Sequence, residues 1–339
     1  MKWLLVVIIF AGCSSMYVEG HKGPKTENFD GRVFKNLEPI SPHGFWGFIK
    51  WQMSGGKSEW PDWVDSPQSS KKIESLQANK TQVTFINHAS FLIQIGAVNV
   101  LTDPIWSERC SPFTWVGPKR HRRPGVRFED LPPIHVVIVS HNHYEHMDLE
   151  SLKLLDQKHQ PLFLVGLGNK AFLERHGINN VQEFDWWGSQ EIKGVNFTFV
   201  PVQHFSGRGL NDRFKTLWGG FVLDSKRHKM LFAGDTGYAS HFRQIREKFG
   251  PMDLSLLPIG AYEPRWFMKD MHMNPADAVQ AHLDLESKLS IGMHFGTFKL
   301  TDEAIDDPGK HLEEAKTKRS LKPQEFLTPE FGQTFSLGS

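Results

Sequence analysis

The stretch that most limits what this chain can fold into is Ser140-His141-Asn142-His143-Tyr144-Glu145-His146-Met147-Asp148. It packs three histidines and two carboxylates into nine residues directly behind an apolar run at 134–139. That run is mostly β-branched and aliphatic, which predicts a buried strand, so the histidines fall on the turn where the chain leaves a sheet edge. Spacings of two and three residues let one tight turn aim His141, His143 and His146 at a single small volume. Neutral imidazole and carboxylate are the donors that borderline divalent ions such as zinc prefer. The alternative is a solvated polar loop, and the density of donors behind a strand argues against it.

Around this turn the pattern alternates. Strands are expected at 83–86, 91–95, 98–102, 162–165, 181–184, 190–192, 195–202, 217–223, 230–232, 254–257 and 289–293, and helices at 149–155, 170–176, 241–249 and 275–283. Such alternation predicts a layered α/β fold. His204, Asp235 and His294 each follow a predicted strand, and strand ends gathered along one sheet edge would bring them to the histidine turn. The donors then divide into His141, His143 and His204 for one metal and Glu145, His146 and His294 for a second, with Asp235 as the bridge. Two ions about 3.5–4 Å apart would activate a water and stabilise charge on an attacked centre.

The order H-x-H-x-[DE]-H, then His, Asp and His, resembles the metallo-β-lactamase superfamily over roughly residues 80–300. Asn87-His88-Ala89-Ser90, Leu101-Thr102-Asp103-Pro104, Glu183-Phe184-Asp185-Trp186-Trp187, Gly234-Asp235-Thr236-Gly237-Tyr238 and the string from Pro258 through Met268 resemble its N-acylphosphatidylethanolamine-hydrolysing phospholipase D branch. The resemblance implies an αββα sandwich with the metal site at one edge of two packed sheets. It also implies two zinc ions and a phosphodiesterase that releases an N-acylethanolamine and leaves phosphatidic acid. Glu145, Asp235 and His272 are the expected catalytic residues, with His88 and Asp103 orienting ligands by hydrogen bonds and Tyr144 lining the cleft. His272 is a candidate for substrate contact or proton delivery, against a surface histidine. Glu145 departs from the family, which has the shorter Asp; retained activity is expected. A lactone or a soluble phosphodiester is the alternative substrate, and a non-catalytic, metal-stabilised envelope lipoprotein the alternative role.

Composition matters at three points. The 26 Phe and 11 Trp suggest either a well-packed core or an apolar, lipid-facing cleft. The aromatic stretch Phe45 to Met53 is one such place, as an apolar lip or as a segment packed on the domain. A net charge of +1 without a long basic block gives no argument for nucleic acid. The knot Lys119-Arg120-His121-Arg122-Arg123 reads as a solvated loop or a holder of phosphate head groups. Finally, Lys2, an apolar run too short to span a bilayer, and Ala11-Gly12-Cys13 resemble a bacterial lipoprotein signal. The expected organisation is a signal at 1–12, a lipid-attached tether at 13–40 and one domain at 41–339. Cys13 would hold the chain to a membrane of the bacterial envelope, leaving Cys110 as the lone thiol. Expected partners are a phospholipid and the membrane, with a homodimer as an option.

Overall fold

The computed structural model describes residues 16–41, 45–66, 72–77 and 79–338; the expected signal and Cys13 lie outside the described residues. Strands β1 (Thr81–Asn87), β2 (Ser90–Ile95), β3 (Val98–Thr102), β4 (Val136–Ile138), β5 (Leu162–Gly166) and β6 (Val181–Phe184) form one sheet, with β14 (Thr334–Leu337) beside β1. Strands β7 (Ser189–Ile192), β8 (Val195–Val200), β9 (Gly220–Ser225), β10 (Lys229–Phe232), β11 (Leu254–Pro258) and β12 (Leu289–Met293) form the second, with β13 (Phe326–Leu327) at its edge. Each sheet starts as an antiparallel meander and turns parallel, at the β3–β4 pair in one and the β10–β11 pair in the other.

Period-2 alternation explains why both faces of the first sheet are buried. Phe91, Ile93, Val100, Val136, Ile138 and Leu164 point into the core between the sheets. Their neighbours Leu92, Leu101, Val137, Phe163 and Val165 point outward, under helices α2 (Leu149–His159) and α3 (Lys170–Arg175). Phe85, Phe197, Phe199, Phe221 and Phe232 join the inter-sheet core, so much of the phenylalanine load fills the sandwich. Helices α4 (His241–Phe249), α6 (Pro275–Asp284) and α7 (Asp307–Lys318) cover the second sheet through Phe242, Ile245, Val279 and Leu312. Asn274 starts α6 with a capping box, accepting from Asp277 N while Asp277 accepts from Asn274 N, and Pro275 takes the first helical position.

Two expectations need correction. Where it is described, the segment read as a tether packs on the domain: Val18, Phe29 and Phe34 are buried, and His21 N and Phe34 N donate to Lys215 O and Phe214 O, both at 2.8 Å. Three apolar residues at irregular spacing carry no period, and their partners lie far along the chain. The basic knot is neither a solvated loop nor a phosphate holder at its centre. Arg120 is buried and donates to Ser107 O and Ile105 O, at 2.9 and 3.2 Å, with its guanidinium over Phe298.

The stretch Phe45–Met53 is helix α1, and it divides between both readings. Trp51 is buried, donates from Nε1 to both oxygens of Asp302 at 3.0 Å, and stacks on Phe267 of the short helix α5 (Arg265–Met268). Trp46 and Met53, by contrast, are 79% and 81% exposed.

Candidate metal centre

The sheets set their strand ends along one edge, and β1, β3, β4, β8, β10 and β12 each end within a few residues of a site residue. Asp103, just past β3, organises the histidine turn. It accepts from Ser140 N and Ser140 Oγ at 2.7 and 2.6 Å, and lies 2.6 Å from His146 Nδ1. His146 N and Met147 N both donate to His143 O, so residues 143–147 coil through one turn that returns His146 beside His141. Gly234 lets the second sheet approach: its φ is +61°, and a Cβ there would sit 2.5 Å from Ser140 Cβ.

His141 Nε2 lies 2.8 Å from His143 Nδ1, and His204 Nε2 lies 3.4 Å from the same atom. Three nitrogens tetrahedrally placed on a zinc ion, at about 2.05 Å each, would stand ~3.3 Å apart. The triad is close to that size. Behind it, His204 Nδ1 faces Met271 O at 2.9 Å and His141 Nδ1 faces Ser140 Oγ at 2.8 Å, contacts that leave the opposite ring nitrogens free to bind.

Asp235 sits between this triad and a second group. Its Oδ2 is 3.0 Å from His294 Nε2, 3.2 Å from His146 Nε2 and 3.8 Å from His204 Nε2. Donor atoms of Glu145, His146, Asp235 and His294 all lie within 4.8 Å of one another, and Glu145 is half-buried. Both Asp235 oxygens, both His294 ring nitrogens and His146 Nε2 are buried without a hydrogen bond. Such a cluster is costly unless something satisfies it, and a cation between the carboxylate and the imidazoles does so. The donor set therefore fits a metal pair.

The electrostatics agree. Burial holds His141 and His204 well below the ordinary histidine range and brings His143 down to about 3, so all three offer neutral lone pairs. Burial alone would raise Asp235, but its contacts with the His146 and His294 rings outweigh it and keep the carboxyl well below its usual value.

His272 joins the group, with Nδ1 3.9 Å from Asp235 Oδ2 and burial lowering its pKa to about 4. It lines a cavity of about 500 Å³ with His143, Tyr144, Glu145, Phe48, Trp51, Phe205, Phe267 and Leu300. Tyr144 is fixed there by Oη donating to Arg208 O at 2.7 Å, under the Arg208 guanidinium at 4.0 Å. His88 meets His294 through its backbone and not through its ring nitrogens. Neither of its ring nitrogens makes a hydrogen bond; the ring packs on His294 at 4.1 Å, and His88 O accepts from His294 N at 2.8 Å. Both residues have positive φ, so the contact joins two strained backbone positions. Ser140, Arg208, Phe205 and Met271 escaped the sequence reading. Ser140, Phe205 and Met271 at least adjoin His141, His204 and His272, whereas nothing local marks Arg208.

Residues 98–295 match the beta-lactamase superfamily domain. N-acyl-phosphatidylethanolamine-hydrolyzing phospholipase D 1 of Caenorhabditis elegans is 38% identical over 263 residues, 74% of each chain. The mitochondrial N-acyl-phosphatidylethanolamine-hydrolyzing phospholipase D of Saccharomyces cerevisiae is 35% identical over 77% of this chain and 58% of its own. Among solved structures, a metallo hydrolase from Ignicoccus hospitalis superposes with a TM-score of 0.57 at 19% identity, over 77% of this chain and 99% of its own.

Proposed function

This chain is a metal-dependent hydrolase belonging to the metallo-β-lactamase superfamily, with the N-acylphosphatidylethanolamine-hydrolysing phospholipases D, and we propose that it cleaves N-acylphosphatidylethanolamine-like lipids using zinc. The observation that carries the proposal is the junction of the donor cluster with an apolar cavity. His143, Glu145 and His272 share its wall with Phe48, Trp51, Phe205 and Phe267. An apolar cleft opening on a charged centre suits a substrate with acyl chains and one phosphodiester. The exposed Trp46 and Met53 of α1, and Trp266 of α5, suit work at a lipid surface.

Zinc fits the five imidazoles and two carboxylates, and a bound pair would supply an acidified water and neutralise charge growing on phosphorus. In the hydrolysis, water oxygen joins phosphorus, the bond from phosphorus to the ethanolamide oxygen breaks, and that oxygen takes a proton. Asp235 holds the two ligand sets in register. His272 Nδ1, buried, without a hydrogen bond and facing the cluster, is the group placed to pass the proton. Phe205 and Phe267 exclude water from the acyl side. Lipid attachment at Cys13 belongs to the same proposal, because an anchored chain meets a substrate that stays in the bilayer; intact mass of membrane-extracted protein tests it.

The experiment is incubation of the purified chain with vesicles containing N-acylphosphatidylethanolamine, with products read by mass spectrometry. N-acylethanolamine and phosphatidic acid should appear together, stop with chelator and return with zinc. Turnover of a lactone or a soluble diester by fully metal-loaded protein that leaves the lipid intact would remove the lipid assignment.

A further inference from the structure

His204 lies four residues beyond the end of β8, where the sheet ladder has run out. Its neighbour Gln203 still finds a partner, forming an isolated bridge with Gly237. His204 has none on the sheet, and a buried backbone amide left that way is unfavourable. The N-terminal strap supplies what the sheet does not. Asn36 Nδ2 donates to His204 O at 2.8 Å, and His204 N donates to Asn36 Oδ1 at 3.0 Å. One carboxamide thus meets both backbone groups of a single residue, as a paired strand would. Trp218 Nε1 donates to the same Oδ1 at 3.1 Å, which fixes the amide's orientation: the oxygen must face two donors and the nitrogen a carbonyl.

We infer that Asn36 is a positioning residue for the metal centre: through the backbone of His204 it sets where the Nε2 of that ligand points. This inference rests on the metal-centre reading and goes beyond it, because Asn36 lies outside the matched span 98–295 and its hydrogen bonds go to the backbone of His204 and to Trp218. Behind the site, the ring of His204 is anchored by the contact of Nδ1 with Met271 O. Backbone clamp and ring anchor together leave Nε2 on the side of His143 Nδ1 and Asp235 Oδ2. The strap is gripped on both sides of this point. Asn28 Nδ2 donates to Asp185 Oδ1 at 2.7 Å, and Gln203 Nε2 donates to Glu38 O at 2.9 Å. The N-terminal segment that packs on the domain thereby becomes part of the ligand geometry.

The test is titration of the metal-free full chain with cobalt(II) alone, following its visible absorption, for wild type, Asn36→Ala, Asn36→Asp and Asn28→Ala. Wild type should take up two equivalents. Asn36→Ala should hold one of them more loosely by roughly ten- to a hundredfold, the scale of losing a group that orients a ligand. Its spectrum should change, and the other equivalent should be unaffected. Asn36→Asp keeps the acceptor for His204 N but sets a carboxylate oxygen against His204 O, so it too should weaken that equivalent, and it decides the matter if the alanine variant unfolds. Asn28→Ala, which loosens the same strap away from His204, should bind as wild type does. Cobalt binding unchanged in both Asn36 variants, or weakened as much in Asn28→Ala, would overturn the clamp while sparing the metal centre. A wild type that takes up no cobalt would overturn the centre and the clamp with it.

Discussion

The two sheets bring the candidate ligands together in different ways. The first supplies His141, His143, Glu145 and His146 from one turn behind β4, held by Asp103 and by the coil at 143–147. The second supplies His204, Asp235 and His294 singly, from three strand ends whose spacing the scaffold sets. Ligands in a turn keep their mutual geometry wherever the turn goes. Ligands on separate strands depend on packing, and Gly234 and Asn36 are where that dependence shows.

The largest break in this contrast is Asp235→Asn, since this carboxylate faces both ligand sets. Activity should fall about a thousandfold, the scale of losing several kcal/mol of charge stabilisation. Metal analysis should show fewer than two ions, and a variant keeping a tenth of wild-type turnover would remove the bridging role.

Gly234→Ala comes next and tests the seam between the sheets. Positive φ costs about 1–2 kcal/mol, and the clash with Ser140 adds about 1–3. Gly194→Ala is the comparison: φ is +82° there, yet nothing lies within 4 Å of the added Cβ. Thermal unfolding should show the larger loss at Gly234, and equal losses would mean that the seam relaxes freely.

His241, on the second sheet's side, provides a pH test at a residue outside the ligand set. Burial takes its pKa down to about 3. A buried neutral histidine stabilises the fold fully above the unfolded value of about 6.5, and that contribution is lost as pH falls toward 3. At pH 5.5 the loss is about 1.4 kcal/mol. Urea unfolding of His241→Asn should vary less between pH 7 and 5.5 than wild type does, and identical slopes would contradict the assignment. The smallest effect is expected at Glu145→Asp, which shortens a turn ligand by one methylene. Affinity at the second position should shift by less than about tenfold, because the turn absorbs the change.

What was legible in the sequence follows the same division. The histidine turn was visible because its donors are contiguous, and α4 was read at its observed limits because its apolar period is regular. The strand expected at 217–223 begins instead at Gly220. Leu217 N and Gly219 N donate to Leu167 O and Ser140 O, in loops of the first sheet, so tertiary contacts outweigh β propensity there. Helix α7 went unread because few of its residues are apolar; Leu312 and Ala315 are its buried hydrophobic side chains beyond the opening Pro308. The two-residue β13 and the edge strand β14 offered too little pattern. Asn36 could not have been found from sequence, since its partner lies 168 positions away and a lone asparagine carries no signal.

Anomalous scattering from crystals of the zinc-loaded chain, measured across the zinc edge, tests the central claim most directly. The expected result is two peaks about 3.5–4 Å apart on either side of Asp235, one among His141, His143 and His204 and the other beside Glu145, His146 and His294. A single peak, or density at neither position in protein shown to contain zinc, would contradict it.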